Sequence, residues 1–278
     1  LGQQELFQRI NAEVPEQRRP IGLMIADDDL EQQRSGGTLS EIITFGTGTA
    51  WISWLVWLVA VQIIGFLALP LSLFIFKPLA SRGYLLSKIL GLLIVSFLAW
   101  LMASVEILTF SRGSVLVSML ILAAISAAIA WRNMDEMVAW WRENRRLILI
   151  MEALFLTSFL VFLMIRAANP DLWHPYRGGE KPMDFAYLNA VTRSTVMPPF
   201  DPWFSGGYLN YYYFGQFVVA SMIRLTGVAP AVAYNLAIPM LFALSAGAVF
   251  TLVYALAEGS RKAMHGAATL ARGPVIAG

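Results

Sequence analysis

The chain has 278 residues, 58% of them hydrophobic and 14% charged, with a mean hydropathy of +0.62 and a formal net charge of +2. That composition excludes an ordinary soluble domain, and so small and dispersed a charge gives no ground for a nucleic-acid partner. With no cysteine the chain cannot form a disulfide, a thiolate metal site or a c-type haem attachment, and its two histidines, His174 and His265, lie outside any clear apolar run.

Residues 1–48 read as an extramembrane segment rich in Gln, Glu, Asp, Arg and Gly, with an acidic run at Asp27-Asp28-Asp29 and a turn signal at Ser35-Gly36-Gly37. Phe7, Ile10 and Val14 fall at helical spacing, and Ile21 to Ile25 suit a short strand. The acidic triplet reads as a solvated turn, because consecutive residues do not converge on one ion. Leu1 is no initiator Met, and ARGPVIAG ends the chain where a new apolar run begins, so the expectation is a portion of a longer membrane protein.

Residues 49–166 predict four membrane helices, at about 50–76, 85–110, 114–130 and 147–165, each near the roughly 20 residues a bilayer requires. Trp51, Trp54 and Trp57 open the first as an interfacial belt. Between the third and fourth, Met134, Met137, Val138 and Trp141 recur at i, i+3, i+4 and i+7. That spacing predicts a helix over 134–144 lying along the membrane interface with Met137 and Trp141 toward lipid. Residues 167–210 form a long polar loop, and 211–278 hold two further helices, at about 211–225 and 230–257, and a tail. The fold class is therefore all-α: a polytopic, multi-pass protein of the cell membrane with about six transmembrane helices. Lys77, Arg82 and Lys88 flank the first turn and Arg132, Arg142, Arg145 and Arg146 the third, which places both in the cytoplasm and 1–48 and 167–210 outside.

Within the spans, Glu106 and Glu152 are the acids to explain. Both sit near span ends, where headgroups or a nearby Arg can meet them. No ladder of buried acids and histidines suggests a proton pump, and no inverted repeat suggests a transporter.

The loop carries more chemistry. Gly178-Gly179 supplies a turn, and Pro182 suits the start of a helix over Met183 to Arg193. Asp184 then falls in the first helical turn, where a carboxylate is favoured. Two readings stand: a helix-start acid, or a general base with Glu180, Lys181 and Arg193 nearby to supply both signs of charge. Met197-Pro198-Pro199-Phe200-Asp201-Pro202-Trp203 cannot be regular helix. Asn210-Tyr211-Tyr212-Tyr213 opens the fifth span, either as an interfacial belt or with at least one ring turned toward the protein or a site.

The runs HPYRGGEKPMDFAYLNAVTRS, MPPFDPWFSGGYLNYYYFGQ and VAYNLAIP resemble the YYY membrane-protein family of green non-sulfur bacteria and archaea. That family in turn resembles the GT-C glycosyltransferases, such as the protein O-mannosyltransferases and lipid A aminoarabinose transferases. The resemblance implies a GT-C-like fold that takes a sugar from a polyprenyl-phosphate donor on the extracytoplasmic face. It implies Asp184 as catalytic base, and His174, Glu180, Lys181, Arg193, Asn210, Tyr211, Tyr212 and Tyr213 as substrate-binding. The sequence departs from the mannosyltransferases where their Asp-Glu pair stands, since Phe185 follows Asp184. That leaves the cofactor open, a divalent cation included, with Glu180 the nearest second acid. The alternative is a non-catalytic subunit whose aromatic loop docks lipid or other membrane subunits in a larger complex.

Overall fold

A computed structural model describes residues 50–170, 179–204 and 207–271. The acidic N-terminal segment and His174 lie outside the described residues. The helices in chain order are α1 (Ala50–Ile75), α2 (Leu86–Ser104), α3 (Arg112–Glu143), α4 (Arg145–Ala168), α5 (Lys181–Arg193), α6 (Tyr213–Thr226) and α7 (Pro230–Ala271). Five of them, α1 to α4 and α7, contain stretches long and apolar enough to cross a membrane. The chain is a multi-pass membrane protein.

The stretch at 211–225, expected as a span, behaves differently. Its helix α6 has 14 residues, about 21 Å at 1.5 Å per residue, against a hydrocarbon core of about 30 Å. Gly227 ends it in the left-handed conformation, at φ 74°. Phe217, Ala220, Met222 and Ile223 are buried by protein. The apolar run is therefore a core helix rather than a span.

The packing follows from small residues and matched ends. α1 and α2 approach closely at glycines: a Cβ on Gly91 would lie 2.6 Å from Ile64 O, and one on Gly65 would lie 2.7 Å from Lys88 Cγ. Lipid tails are as apolar as Leu, so such close contact is what associates membrane helices. α3 begins with a capping box between Ser111 and Ser114. α4 packs along α7, where Phe162 stacks on Phe242 at 4.5 Å.

Residues 134–143 continue α3 beyond a kink at Asn133 (φ −128°, ψ 20°). The face read as lipid-directed is divided: Trp141 is partly exposed and rests at 6.0 Å on Tyr84, whereas Met137 is buried in the protein core. Apolar periodicity cannot tell a protein-facing stripe from a lipid-facing one. Glu136 opposite accepts from Lys77 Nζ at 2.9 Å and from Arg82 Nη2 at 2.8 Å. Those contacts bring the two basic turns to one end of the bundle. The motif loop lies at the other, where Phe110 N donates to Thr195 O and Asn235 Nδ2 to Pro170 O.

Glu152 pairs with a lysine rather than an arginine. Lys88 Nζ, on a side chain only 3% exposed, reaches Glu152 Oε1 at 2.6 Å, and Gln62 Nε2 donates to Oε2 at 2.9 Å. This buried cluster joins α1, α2 and α4. Glu106 instead sits exposed in the turn after α2, with φ 59°.

Candidate functional site: an acid over an apolar cavity

Lys181 and Pro182 start α5 as the sequence predicts, and Asp184 sits in its first turn. The Asp184 N–H donates to Glu180 O at 2.9 Å, which closes that turn. Asp184 forms part of the wall of a cavity of about 530 Å³ bounded by α2, α5, α6 and α7. That volume falls within the range of small-molecule sites. Leu92, Leu188, Phe214, Met240 and Leu244 are among the apolar residues around it, and Gln216 and Tyr234 add polar atoms. Gln216 Oε1 is buried with no hydrogen-bond partner. Tyr234 packs edge-on against Phe185 at 5.8 Å.

Burial, and then the negative charge of Glu180, hold the Asp184 carboxyl above its ordinary range. This outweighs the favourable helix terminus. A carboxylate so placed is a stronger base than a solvated one. Tyr187, one turn along α5, is also raised, first by burial and then by the charges of Asp201, Tyr211 and Asp184.

A second cavity of about 430 Å³ adjoins the first, with Phe214 and Gly215 in the walls of both. Trp100, Asn210, Tyr212 and Tyr213 complete it. The tyrosine triplet divides its duties. Tyr213 begins α6 and its Oη accepts from Trp100 Nε1 at 2.8 Å. Tyr211 packs on Tyr187 at 6.5 Å and against Tyr212 at 4.2 Å. Tyr212 is 78% exposed. Only Tyr213 lies within the helix, so the three rings are not spread around one helical turn. The loop before them is tied by Leu209 N to Pro199 O and by Asp201 Oδ1, which accepts from the backbone of Trp203 and Phe204.

The sequence-predicted residues thus fall into groups. Asp184 and Glu180 act on each other, and Asn210, Tyr212 and Tyr213 line the neighbouring cavity. Lys181, beside them in sequence, is not among the residues lining either cavity, and Arg193 is exposed at the far end of α5. Nine residues of helix separate Arg193 from Asp184, about 13 Å. Sequence reasoning missed Tyr234 and Gln216, which reach the site from other helices, and Arg166 near the end of α4. Tyr234 lies within electrostatic reach of both Asp184 and Arg166. Arg166 Nη1 donates to Asn169 O at 2.8 Å. Only a strong apolar pattern followed by a terminal Arg marks it in the sequence. Asp184 and Glu180 are the two carboxylates at this point, and among the described residues no group of three or more His, Asp or Glu gathers to hold a metal ion.

Residues 94–277 match the model of a family described as uncharacterized membrane proteins, DUF2298. The chain belongs to this family. The DUF2298 match begins inside α2 and takes in all of α3 to α7, with Asp184 and the cavity wall apart from Ile89, Leu92 and Leu93. It bears out the resemblance carried by the tyrosine triplet at the level of a membrane-protein family. No curated protein and no solved structure matches the chain.

Proposed function

We propose that this chain is the part of a membrane glycosyltransferase that moves a sugar from a polyprenyl-phosphate donor to an acceptor on the extracytoplasmic face. One observation carries the reading: Asp184, its carboxyl held above the ordinary range by burial, stands in the wall of an apolar cavity bounded in part by two helices, α2 and α7, long and apolar enough to span a membrane. Asp184 takes the proton of the acceptor hydroxyl. The freed oxygen then forms a bond to the anomeric carbon. The bond from that carbon to the phosphate oxygen breaks, and its electron pair leaves with the lipid phosphate, so the configuration inverts. A phosphate leaving group is already anionic and needs cations more than a general acid. Arg166, within electrostatic reach of Tyr234 in the cavity wall, is the cation assigned this role, whereas Lys181 lines neither cavity and Arg193 is exposed at the far end of α5. Tyr212, Tyr213 and Asn210 offer the stacking faces and amide that suit a sugar ring.

The test is transfer from labelled polyprenyl-phosphate sugars by membranes carrying the protein, compared with Asp184→Asn. General-base assistance contributes about 10²–10⁴-fold in rate. A loss in that range supports the reading, and near-normal turnover by the Asn variant refutes it. A second reading, a non-catalytic subunit that docks lipid or a partner through the loop, rests on the exposed rings of Trp203 (63%) and Phe204 (65%). Normal transfer by Asp184→Asn, with loss of complex formation by Trp203→Ala, would favour it.

A further inference from the structure

We propose that the acceptor of this transfer is itself a membrane amphiphile: a lipid-tailed alcohol whose tail fills the cavity between α2, α6 and α7 and whose hydroxyl meets Asp184. The inference rests on the glycosyl-transfer reading and names the substrate class of the same site.

Three observations lead to it. First, the cavity opens toward lipid. Leu93 of α2 and Leu241 of α7 stand in its wall and are also 46% and 56% exposed, on helices that face the bilayer. A ligand that enters between them arrives from the hydrocarbon phase, and the rest of the wall is apolar enough to hold a chain. Secondly, the acid in the wall asks for a hydrogen-bond donor. Asp184 stands in the cavity wall, and a carboxylate only accepts. A hydroxyl head satisfies it, whereas a carbonyl or ester head does not. Thirdly, the charge is wrong for phosphate. Among the described residues no Lys or Arg lines the cavity, while Glu180 adds a second negative charge beside Asp184. An anionic head placed there meets repulsion with no counter-ion in the wall, so the donor phosphate belongs outside and the cavity belongs to a neutral molecule.

Gly215 gives a clean perturbation. It borders both cavities, and a Cβ added there meets no atom within 4 Å. Gly215→Leu therefore fills space without a clash at its first atom.

The experiment uses a long-chain alcohol carrying a diazirine in its tail, the phosphate ester of the same alcohol, and the protein in neutral phospholipid bilayers. After photolysis the labelled peptides are mapped. The alcohol is expected to label α2, α6 and α7 around Leu93, Gln216 and Leu241, and to do so at least about tenfold more than the phosphate ester, as like charges within several Å require. Gly215→Leu, checked for an unchanged melting temperature, is expected to remove that labelling while leaving the labelling of lipid-facing positions such as Leu120 intact. Equal or stronger labelling by the phosphate ester overturns the proposal. So does labelling that Gly215→Leu leaves unchanged, which would report bulk lipid alone. If Gly215→Leu lowers the melting temperature, competition by unlabelled alcohol replaces it, and failure to compete overturns the proposal. Transfer assays run alongside separate the two levels. Asp184-dependent transfer to a water-soluble acceptor without alcohol labelling overturns this inference and leaves the enzyme reading standing. Specific alcohol labelling with no transfer to any acceptor overturns the enzyme reading, and the acceptor assignment with it.

Discussion

Lys88 and Glu152 offer the sharpest test of the fold, because the cost of removing each can be worked out from its surroundings. Breaking a buried pair by deleting one partner typically costs about 3–5 kcal/mol, since the other charge is left uncompensated. The two deletions here are not equivalent. Lys88→Met leaves Glu152 with Gln62 still donating to Oε2, on a side chain 19% exposed. Its cost belongs at the lower end, about 3 kcal/mol, or roughly a hundredfold in the folding equilibrium. Glu152→Leu strands an ammonium only 3% exposed, with the faces of Tyr84 at 5.3 Å and Phe155 at 5.0 Å as its remaining company. Each ring returns about 0.5–2 kcal/mol, less than the lost carboxylate gave, so this deletion costs at least as much as the first. Lys88→Met with Glu152→Leu removes both charges, and the double variant is expected to be more stable than either single one. Equilibrium unfolding in mixed micelles, run as a double-mutant cycle, measures this. Additive single losses, or a cost below about 1 kcal/mol for Lys88→Met, would show that the pair does not hold α2 to α4.

Other expectations follow from the same geometry. Asp184→Asn should leave stability at pH 7 equal to or above that of the parent: the folded carboxyl is raised by burial and by Glu180, so the parent loses stability as pH rises from about 3.8 through the folded value. Melting temperatures across pH check this, and the two proteins should converge in acid; a variant less stable at neutral pH would contradict it. Gly91→Val should destabilise by forcing α2 off the Ile64 carbonyl 2.6 Å away, read as a lower unfolding midpoint, while Gly259→Ala, with open space around it, should not. Cysteines at Trp203 and Arg142 should be labelled from opposite faces of the membrane, the first from outside; labelling of both from one face would refute the proposed topology.

What the sequence shows and what it hides divides along physical lines. Apolar runs of α1 to α4 and α7 are legible because the bilayer demands a length that little else requires. The same signal misleads at α6, where a short apolar run is buried by protein instead of lipid. It misleads again at Met137, because both environments reward the same side chains. The start of α5 is legible from Pro182 and Asp184 alone, since helix initiation is local. The Lys88–Glu152 pair joins residues 64 apart, and no local pattern announces such a meeting. Likewise Gln216 and Tyr234 reach Asp184 only after α6 and α7 have packed.

The site stands where the chain departs from simple spanning. α5 and α6 are too short to cross, and they close the end of the bundle that carries the motif loop by packing on each other and on α7. A helix leaves the carbonyls of its last turn without an intrahelical partner. Arg224, on a side chain buried within α6, meets one such need: its Nη2 donates to Thr192 O at 2.6 Å, in the last turn of α5, while its guanidinium lies 5.5 Å from the ring of Phe110. A cation at a helix C-terminus is favoured by the dipole, and here it also fixes α5 to α6. With its far end held, α5 presents its first turn, and Asp184, over the cavity. The buried charges of this protein therefore serve two ends of one bundle: Lys88 and Glu152 hold the spans together, and Arg224 holds the short helix that carries the acid.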